Sequence, residues 1–436
     1  MTNYVILGAG VAGIGAAESI RKLDPTGVIT VVCDDPHGYY SRPGLAYLLT
    51  GEVDESSLFP FPPQDLKNLG LIFRRGTAIR ILHVEKQVEL SDGQRLPYDR
   101  LLVAVGCGAV RLKLPGVNLQ GVVKLDDLED ARRIIALARR ARTAVVVGGG
   151  ITALELAEGL AHQRVKVHLL IRSAHYWSNV LDEVESIIVE RRLTHDGIVL
   201  HYHSELAEIV EKSGRVAGVR LNTGQQLACD VLAYGIGVQP RLTLAREAGI
   251  NFERGILVDE YLRTNLPDVY AAGDVAQVYD PVSGRSILDS LWTPARDQGR
   301  VAGKNMAGAM EVYSKAVPFN VTRLAGLTTT IIGAVGSGGE RDSLFIARGD
   351  SETWCEIPDA IITQKGFDIN HLRLMVGKKF LMGAVVIGDQ KLSTPLQALI
   401  SDKVDITPIR EQLLTPDAPI ADILASFWSQ VYASRN

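Results

Sequence analysis

The chain has 436 residues, of which 46% are hydrophobic and 22% charged, with a formal net charge of -4 and a pI near 6.2. This length exceeds one ordinary hydrophobic core, so two or three domains are expected. The acidic balance and scattered Lys and Arg predict no nucleic-acid partner. No apolar run approaches the roughly 18 residues that span a bilayer, and a strand beginning at Asn3 leaves no room for a signal peptide, which predicts a cytoplasmic protein without a membrane anchor.

The first predicted elements are a strand, a glycine loop and a helix. The apolar run 3–7 leads into Gly8, Gly10 and Gly13, which have the spacing of a dinucleotide-binding loop. In such a loop the first glycine permits the turn, the second lets the backbone approach a pyrophosphate, and the third lets the helix pack on the strand. Asp34 follows the next predicted strand, where a carboxylate would accept the ribose hydroxyls. These features predict a bound dinucleotide.

The same pattern restarts in the middle of the chain. The apolar run 144–147 leads into Gly148 and Gly150, with Ala153 in place of the third glycine. This replacement is compatible with the pattern but loosens the packing of the helix on the strand. A second dinucleotide is therefore predicted, and we interpret it as NAD(P)H.

The next strand of this second unit, at 165–171, ends without the acidic residue that usually grips the adenosine ribose of NADH. Ile171 stands there instead, and Arg172 follows it. An arginine can hold a 2′-phosphate, so the sequence slightly favours NADPH. The alternative is that Arg172 is a solvated loop residue.

After this unit the chain is expected to return to the first dinucleotide. The strand that closes the second unit is followed by Gly235 and Gly237, which we assign to the NAD(P)H site. A later strand at 269–272 leads into Gly273 and Asp274. This bare backbone beside a carboxylate suits a polyol chain and a pyrophosphate.

A helix is predicted to follow, with Thr293 as its N-cap and Pro294 at its first helical position. The positive end of this helix can stabilise negative charge on a ligand. Thr293 and Gln298 are the candidate contacts on this helix.

These elements predict an α/β fold with two nested Rossmann-like dinucleotide-binding domains and a C-terminal α+β domain. The first domain is expected to be discontinuous, at 1–115 and 252–318, with the second at 116–251. The third, at 319–436, begins with strands rich in Thr, Ile, Val and Gly and ends in two short predicted helices.

Over residues 3 to 310 the chain resembles the FAD-dependent pyridine nucleotide-disulfide oxidoreductase superfamily. The segment 40–51 resembles the Arg-Pro loop of the ferredoxin, rubredoxin and nitrite reductase flavoproteins. The resemblance implies that FAD is the first dinucleotide, with Arg42 near its phosphates and Pro43 against its ring. Gly106 is assigned to the same site. Glu155 matches a glutamate that contacts nicotinamide, although a glutamate in the middle of a helix is otherwise usually solvated.

The chain departs from that family in three respects. Tyr47 stands where the reductases often carry a lysine, and Ile151 stands where an aromatic gate is common. The redox-active cysteines are also missing: Cys33, Cys107, Cys229 and Cys355 form no C-x-x-C or C-x-x-x-x-C pair. Chemistry that relies on a thiol is therefore not expected.

We therefore predict an FAD-dependent oxidoreductase that passes electrons from NAD(P)H through flavin to an acceptor. The acceptor is expected to be a ferredoxin-like or rubredoxin-like protein, a reductase subunit, or a small molecule. Two alternatives are a direct NAD(P)H:quinone or oxygen oxidoreductase and a non-catalytic flavin-binding scaffold or sensor. No metal site is predicted, and the fold analogy favours a homodimer.

Overall fold

The computed structural model describes residues 1–61, 63–281, 283–336, 346, 348–367 and 369–433. Two five-stranded parallel sheets and a five-stranded antiparallel sheet form its framework. This arrangement confirms the predicted α/β fold with a C-terminal α+β part. Among the described residues, no helix is long and apolar enough to cross a membrane.

The first part of the chain builds most of the first parallel sheet. Its elements are β1 (Asn3–Leu7), α1 (Val11–Leu23), β2 (Val28–Cys33), α2 (Gly44–Leu49), α3 (Pro63–Asn68), β3 (Leu71–Arg75), β4 (Ala78–Leu82), β5 (Gln87–Leu90), β6 (Arg95–Pro97), β7 (Arg100–Val103) and β8 (Cys107–Ala109). A 3-10 helix, Glu55–Leu58, lies between α2 and α3. The strand β1 is central and runs parallel to both β2 and β7, so the carboxyl ends of these strands meet at one edge.

The middle of the chain builds the second parallel sheet. Its elements are β9 (Val122–Lys124), α4 (Leu128–Ala138), β10 (Thr143–Val147), α5 (Ile151–His162), β11 (Lys166–Leu170), α6 (Glu183–His195), β12 (Val199–His201), β13 (Leu206–Lys212), β14 (Arg215–Leu221), β15 (Gln226–Ala228), β16 (Val231–Tyr234), β17 (Val238–Pro240) and α7 (Thr243–Ala248). The order β12-β11-β10-β16-β9 parallels the order β3-β2-β1-β7 of the first sheet. The second unit therefore repeats the first, with β10 in the place of β1.

The chain then returns to the first sheet, as the sequence predicted. The elements of this return are β18 (Ile256–Leu257), β19 (Val269–Ala271), β20 (Ala276–Asp280), β21 (Arg285–Ile287) and α8 (Trp292–Met306). The strand β19 pairs in parallel with β7 and becomes the edge strand. The helix α8 packs against α1 so closely that a Cβ atom on Gly299 would lie 2.1 Å from the carbonyl oxygen of Ala12.

The C-terminal part is an antiparallel sheet with helices. Its elements are β22 (Phe319–Leu324), β23 (Leu327–Gly333), a 3-10 helix (Glu352–Cys355), β24 (Ile361–Phe367), β25 (Asn370–Val376), β26 (Leu381–Ile387), α9 (Ser393–Ser401), α10 (Thr407–Leu414) and α11 (Ile420–Ala433). Within the described residues up to 433, three helices follow the strands, so the prediction of two was wrong. Pro408 in the first turn of α10 lacks the N–H that a helix continuing from α9 would need.

A buried ion pair joins the second unit to this sheet. Arg373 Nε on β25 donates to Glu185 Oε1 on α6 at 2.9 Å, and both side chains are fully buried. Burial raises the pKa of Glu185 to about 7, and Arg373 opposes that shift. Asp182 and His371 complete a group that has the geometry to surround a cation. The guanidinium of Arg373 supplies the positive charge there.

Candidate functional site

A cavity of about 920 Å³ opens at the carboxyl edge of the first sheet and extends to the beginning of α5. Its wall contains most of the residues that the sequence assigned to FAD. These are Gly8, Gly10, Asp34, Arg42, Pro43, Gly106, Gly273 and Asp274. The cavity also contains Glu155, which the sequence assigned to the nicotinamide.

The first glycine loop has the geometry of a phosphate cradle. Gly10 immediately precedes α1, and a Cβ atom placed on it would have no neighbour within 4 Å, so the backbone there is open to the cavity. Gly8 and Gly13 are instead enclosed by backbone. A Cβ atom on Gly8 would lie 2.2 Å from the carbonyl oxygen of Ala104, and one on Gly13 would lie 2.0 Å from that of Gly8. The loop and the free end of α1 therefore fit a dinucleotide pyrophosphate.

Asp34 and Asp274 approach the cavity from two strands of the first sheet. Asp34 follows β2 and is exposed, as a ribose-binding carboxylate must be. Asp274 follows β19, and its Oδ2 accepts hydrogen bonds from Cys107 Sγ at 3.0 Å and from Ser290 Oγ at 3.1 Å. These two donors fix the orientation of the Asp274 carboxylate.

Gln298 binds the backbone of Gly273, the residue before Asp274. Its side chain is buried, and its Oε1 accepts a hydrogen bond from the Gly273 N–H at 2.8 Å. Gly273 has a φ of +80°, a conformation that favours glycine. Gln298 therefore holds the turn after β19 in place rather than lining the cavity itself.

The structure corrects the predicted start of α8. The helix begins at Trp292 and Leu291 is the residue before it, so Thr293 is not the N-cap. The backbone of Leu291 is extended, at φ -114° and ψ 143°, and its side chain makes no capping hydrogen bond. Thr293 is exposed, whereas Leu291, Trp292 and Ala295 line the cavity.

The Arg-Pro loop (residues 40–51) forms a second wall. Arg42 Nη1 donates to the backbone carbonyl of Asp126 at 2.8 Å, and its guanidinium stacks on the ring of Tyr40. Pro43 immediately precedes α2. Arg42, Pro43 and Tyr47 all line the cavity. This segment, which includes α2, therefore forms part of the cavity wall.

The second glycine loop repeats the close approaches of the first. A Cβ atom on Gly148 would lie 2.2 Å from the carbonyl oxygen of Gly235, and one on Gly235 would lie 2.9 Å from the backbone nitrogen of Ala153. Gly150 immediately precedes α5. Ala153 is fully buried, so its methyl group fits where the pattern has a third glycine. Gly237 lies between β16 and β17.

Glu155 belongs to the second unit and lines the cavity. It lies one turn into α5 and lines the cavity together with Ile151. Burial raises the pKa of Glu155 to about 7, and the nearby positive charge of Arg348 opposes that shift. A carboxyl group with this pKa can gain or lose a proton near neutral pH.

Arg172 lies outside this cavity, in the loop after β11. Its side chain is exposed, which is compatible with either interpretation of the residue. Ser173 Oγ donates to the carbonyl of His175 at 2.6 Å and so shapes the loop. Tyr176 and Trp177 are buried and pack in the core of the second unit.

Four residues that sequence reasoning missed form a charged cluster at the cavity wall. Asp126 Oδ2 lies 3.6 Å from Lys124 Nζ and 3.6 Å from Arg241 Nη2, and Asp126 Oδ1 accepts a hydrogen bond from Arg348 Nη2. Burial would raise the pKa of Asp126, but the three cations, Arg348 foremost, hold it down at about 2. No short motif contains all four, because Arg241 and Arg348 lie more than one hundred residues along the chain from Lys124 and Asp126.

The C-terminal part also reaches the cavity. Residues 320–322 at the start of β22 and the pair Arg348 and Gly349 line it. The sequence assigned no functional residue to this part. The structure therefore extends the candidate site into all three predicted domains.

The chain matches known proteins along most of its length. The family model described as pyridine nucleotide-disulphide oxidoreductase matches residues 2–299. The chain is 32% identical over 353 residues to rhodocoxin reductase of Rhodococcus erythropolis, covering 77% of this chain and 82% of the relative. It is 28% identical over 438 residues to the epsilon subunit of the NADH-dependent phenylglyoxylate dehydrogenase of Aromatoleum evansii, covering 98% of each.

A solved structure has the same fold. A ferredoxin reductase from Rhodopseudomonas palustris superposes with a TM-score of 0.85 at 23% identity, covering 97% of this chain and 99% of that one. The chain spans about half the length of two further relatives, a nitrite reductase and an assimilatory nitrate reductase electron transfer subunit of Bacillus subtilis (48% and 51%).

Proposed function

Because the chain belongs to the pyridine nucleotide-disulphide oxidoreductase family, we propose that it is an FAD-dependent enzyme that passes electrons from NAD(P)H to an acceptor protein. The oxidoreductase class and the family's use of FAD with NAD(P)H accord with the prediction from the motifs. The residue roles, the preferred nicotinamide and the identity of the acceptor are the parts that we propose.

One observation carries the proposal: residues from both glycine-loop units line the same cavity. Gly8, Gly10 and Arg42 line it from the first unit, and Ile151 and Glu155 line it from the second. A donor held by the second unit can therefore meet a cofactor held by the first.

FAD fits the first unit because the loop leaves open space at Gly10, immediately before the N-terminus of α1. Gly8 to Gly13 would hold its pyrophosphate, Asp34 its ribose, and Asp274 its polyol chain. Arg42 and Pro43 would face it from the second wall. When bound, FAD accepts a hydride from a nicotinamide and releases its electrons one at a time.

Glu155 is the group best placed to manage a proton at this junction. Hydride transfer and single-electron release move electrons and protons in unequal numbers, so the site needs a group that exchanges a proton near neutral pH. Glu155 is half-buried, its carboxyl has a pKa of about 7, and it lines the cavity between the two units.

Electron transfer through a thiol has no support at this cavity. Cys33 and Cys107 both line it, and burial raises the pKa of each thiol. Cys107 donates its hydrogen to Asp274, whose negative charge further disfavours a thiolate. A protonated thiol is a poor nucleophile.

We propose NADPH as the preferred donor, with Arg172 and Ser173 holding the 2′-phosphate in the exposed loop after β11. Arg172→Ala should raise the KM for NADPH more than the KM for NADH. An equal rise for the two nucleotides would remove this role. Arg164→Ala, a change of an arginine at the other end of β11, is the matched control.

The acceptor is proposed to be a small electron-carrier protein, or a catalytic subunit as in the nitrite reductase systems. Rhodocoxin reductase and two rubredoxin-NAD(+) reductases are among the relatives. We also propose that the three domains are divided at residues 115, 251 and 318. A cytoplasmic location and a homodimer stay predictions from the sequence.

The test is to follow NADPH and NADH oxidation with rubredoxin, with a ferredoxin, with a quinone and with oxygen alone. We expect a carrier protein to give the highest kcat/KM. Turnover of the quinone or oxygen that no carrier exceeds would favour the direct oxidoreductase. No turnover with any acceptor, together with no reduction of the flavin, would favour a scaffold or sensor.

A further inference from the structure

Arg348 brings a positive charge from the C-terminal part of the chain into the cavity. It lies between β23 and the 3-10 helix Glu352–Cys355, and it lines the cavity together with Gly349. A Cβ atom on Gly349 would lie 3.6 Å from Ile151 Cδ1, so this segment rests on the first turn of α5. Arg348 therefore lies at the cavity wall beside the first turn of α5.

Two arginines from different parts of the chain converge on one carbonyl there. Arg348 Nη1 donates to the backbone oxygen of Asp126 at 3.3 Å, and Arg42 Nη1 donates to the same oxygen at 2.8 Å. Arg348 Nη2 also donates to the Asp126 carboxylate. These bonds hold the Arg348 guanidinium at the same wall as the Arg-Pro loop.

Arg348 shares its main carboxylate partner, Asp126, with two other cations. Lys124, Arg241 and Arg348 surround Asp126, and Asp130 is the only other carboxylate that pairs within this described group, through Lys124 at 2.7 Å. Three cations therefore share the single negative charge of Asp126.

The charge of Arg348 reaches residues of both units. It is the main charge that opposes the rise in the pKa of Glu155, on the nicotinamide side. It also interacts electrostatically with Asp274 and Cys107, which lie beside the turn after β19. Tyr47, at the same cavity, adds no positive charge. Arg348 is therefore placed between the two proposed nucleotide sites.

We propose that Arg348 sets the reduction potential of the bound flavin by stabilising the negative charge that the flavin gains on reduction. A hydride delivers two electrons and one proton, so the flavin gains one unit of negative charge from NAD(P)H. A fixed cation beside it makes that gain more favourable. This inference rests on the proposed FAD site.

The test measures the midpoint potential of the flavin by anaerobic titration against a reference dye. Arg348→Gln should destabilise the reduced flavin relative to the oxidised flavin by tenfold or more, which lowers the potential of a two-electron couple by about 30 mV. Arg348→Lys keeps the charge and should retain most of the potential. Asp126→Asn removes the neutralising charge and should raise the potential.

The opposite signs for Arg348→Gln and Asp126→Asn distinguish this role from a purely structural one. If Arg348 only ties the C-terminal part to Asp126, both variants lose the same ion pair, their Tm falls, and their potentials stay unchanged or move together. That result would overturn the inference. Arg285→Gln is the matched control, because Arg285 pairs with Glu356 at 3.0 Å at another contact with the C-terminal part and should leave the potential unchanged.

Two further results are decisive. If Arg348→Gln does not fold, Asp126→Asn must still raise the potential, and a failure to do so overturns the inference. The flavin content of the unaltered protein is measured first. If that protein holds no flavin, the proposed function fails and this inference falls with it, whereas a flavin whose potential ignores both charges refutes the inference alone.

Discussion

Gly10→Glu should separate cofactor binding from folding. Gly10 has a φ of -76°, which any residue can adopt, and a Cβ atom on it would have no neighbour within 4 Å. The new side chain therefore enters the cavity without displacing the backbone. A carboxylate about 4 Å from a phosphate charge costs about 4 kcal/mol at an effective dielectric constant of 20. That energy corresponds to a loss of about a thousandfold in FAD affinity.

Gly13→Ala should instead lower the stability of the fold. Its Cβ atom would lie 2.0 Å from the carbonyl oxygen of Gly8, so α1 must shift away from β1. Overpacking of this kind costs about 1–3 kcal/mol of folding free energy. Gly10→Ala adds bulk without charge and should retain more FAD than Gly10→Glu does.

The assay compares flavin absorbance per protein and the Tm of the FAD-free forms. We expect Gly10→Glu to be colourless with a Tm close to that of the unaltered apoprotein, and Gly13→Ala to have a clearly lower Tm. A yellow Gly10→Glu protein with full FAD content would refute the assignment of this loop. Equal loss of Tm in the two variants would refute the geometric reasoning.

Three other predictions concern charged side chains outside the first glycine loop. Arg172→Ala should reduce kcat/KM for NADPH more than for NADH, which steady-state kinetics with both donors will measure. Arg373→Ala leaves the Glu185 carboxyl buried without its partner and should lower the free energy of unfolding by about 3–5 kcal/mol in denaturant titration, and an unchanged midpoint would contradict the role of the pair. Burial raises the pKa of Glu158 from 4.5 to about 7, so its contribution to stability is present below pH 4.5 and is lost as the pH rises through 7. Glu158→Gln should therefore raise the Tm more at pH 8 than at pH 5, and an equal change at both would exclude this titration.

The sequence was sufficient where short-range patterns specify the geometry. Both glycine loops lie where apolar runs and glycine spacing predicted them, and the strand Val269–Ala271 returns the chain to the first sheet as expected. The start of α8 was predicted wrongly because Thr293 and Pro294 resemble a cap. In the structure the N-cap is Leu291, two residues earlier than that pattern implies.

The charged cluster at the cavity could not be predicted in this way. Asp126 and its partners Arg241 and Arg348 are separated by more than one hundred residues, and only the packing of three parts of the chain brings them together. The same reason explains Gln298, whose contact with Gly273 depends on how α8 lies beside the first sheet. The residues next to each of these positions in the sequence do not indicate such a distant contact.

Anaerobic titration of the purified protein with NADPH and with NADH, followed by flavin absorption, tests the central claim most directly. The account predicts stoichiometric FAD and rapid bleaching by a nicotinamide nucleotide, because Glu155 and Gly10 line one cavity. Bound FAD that neither nucleotide reduces would contradict the claim that the two units exchange electrons.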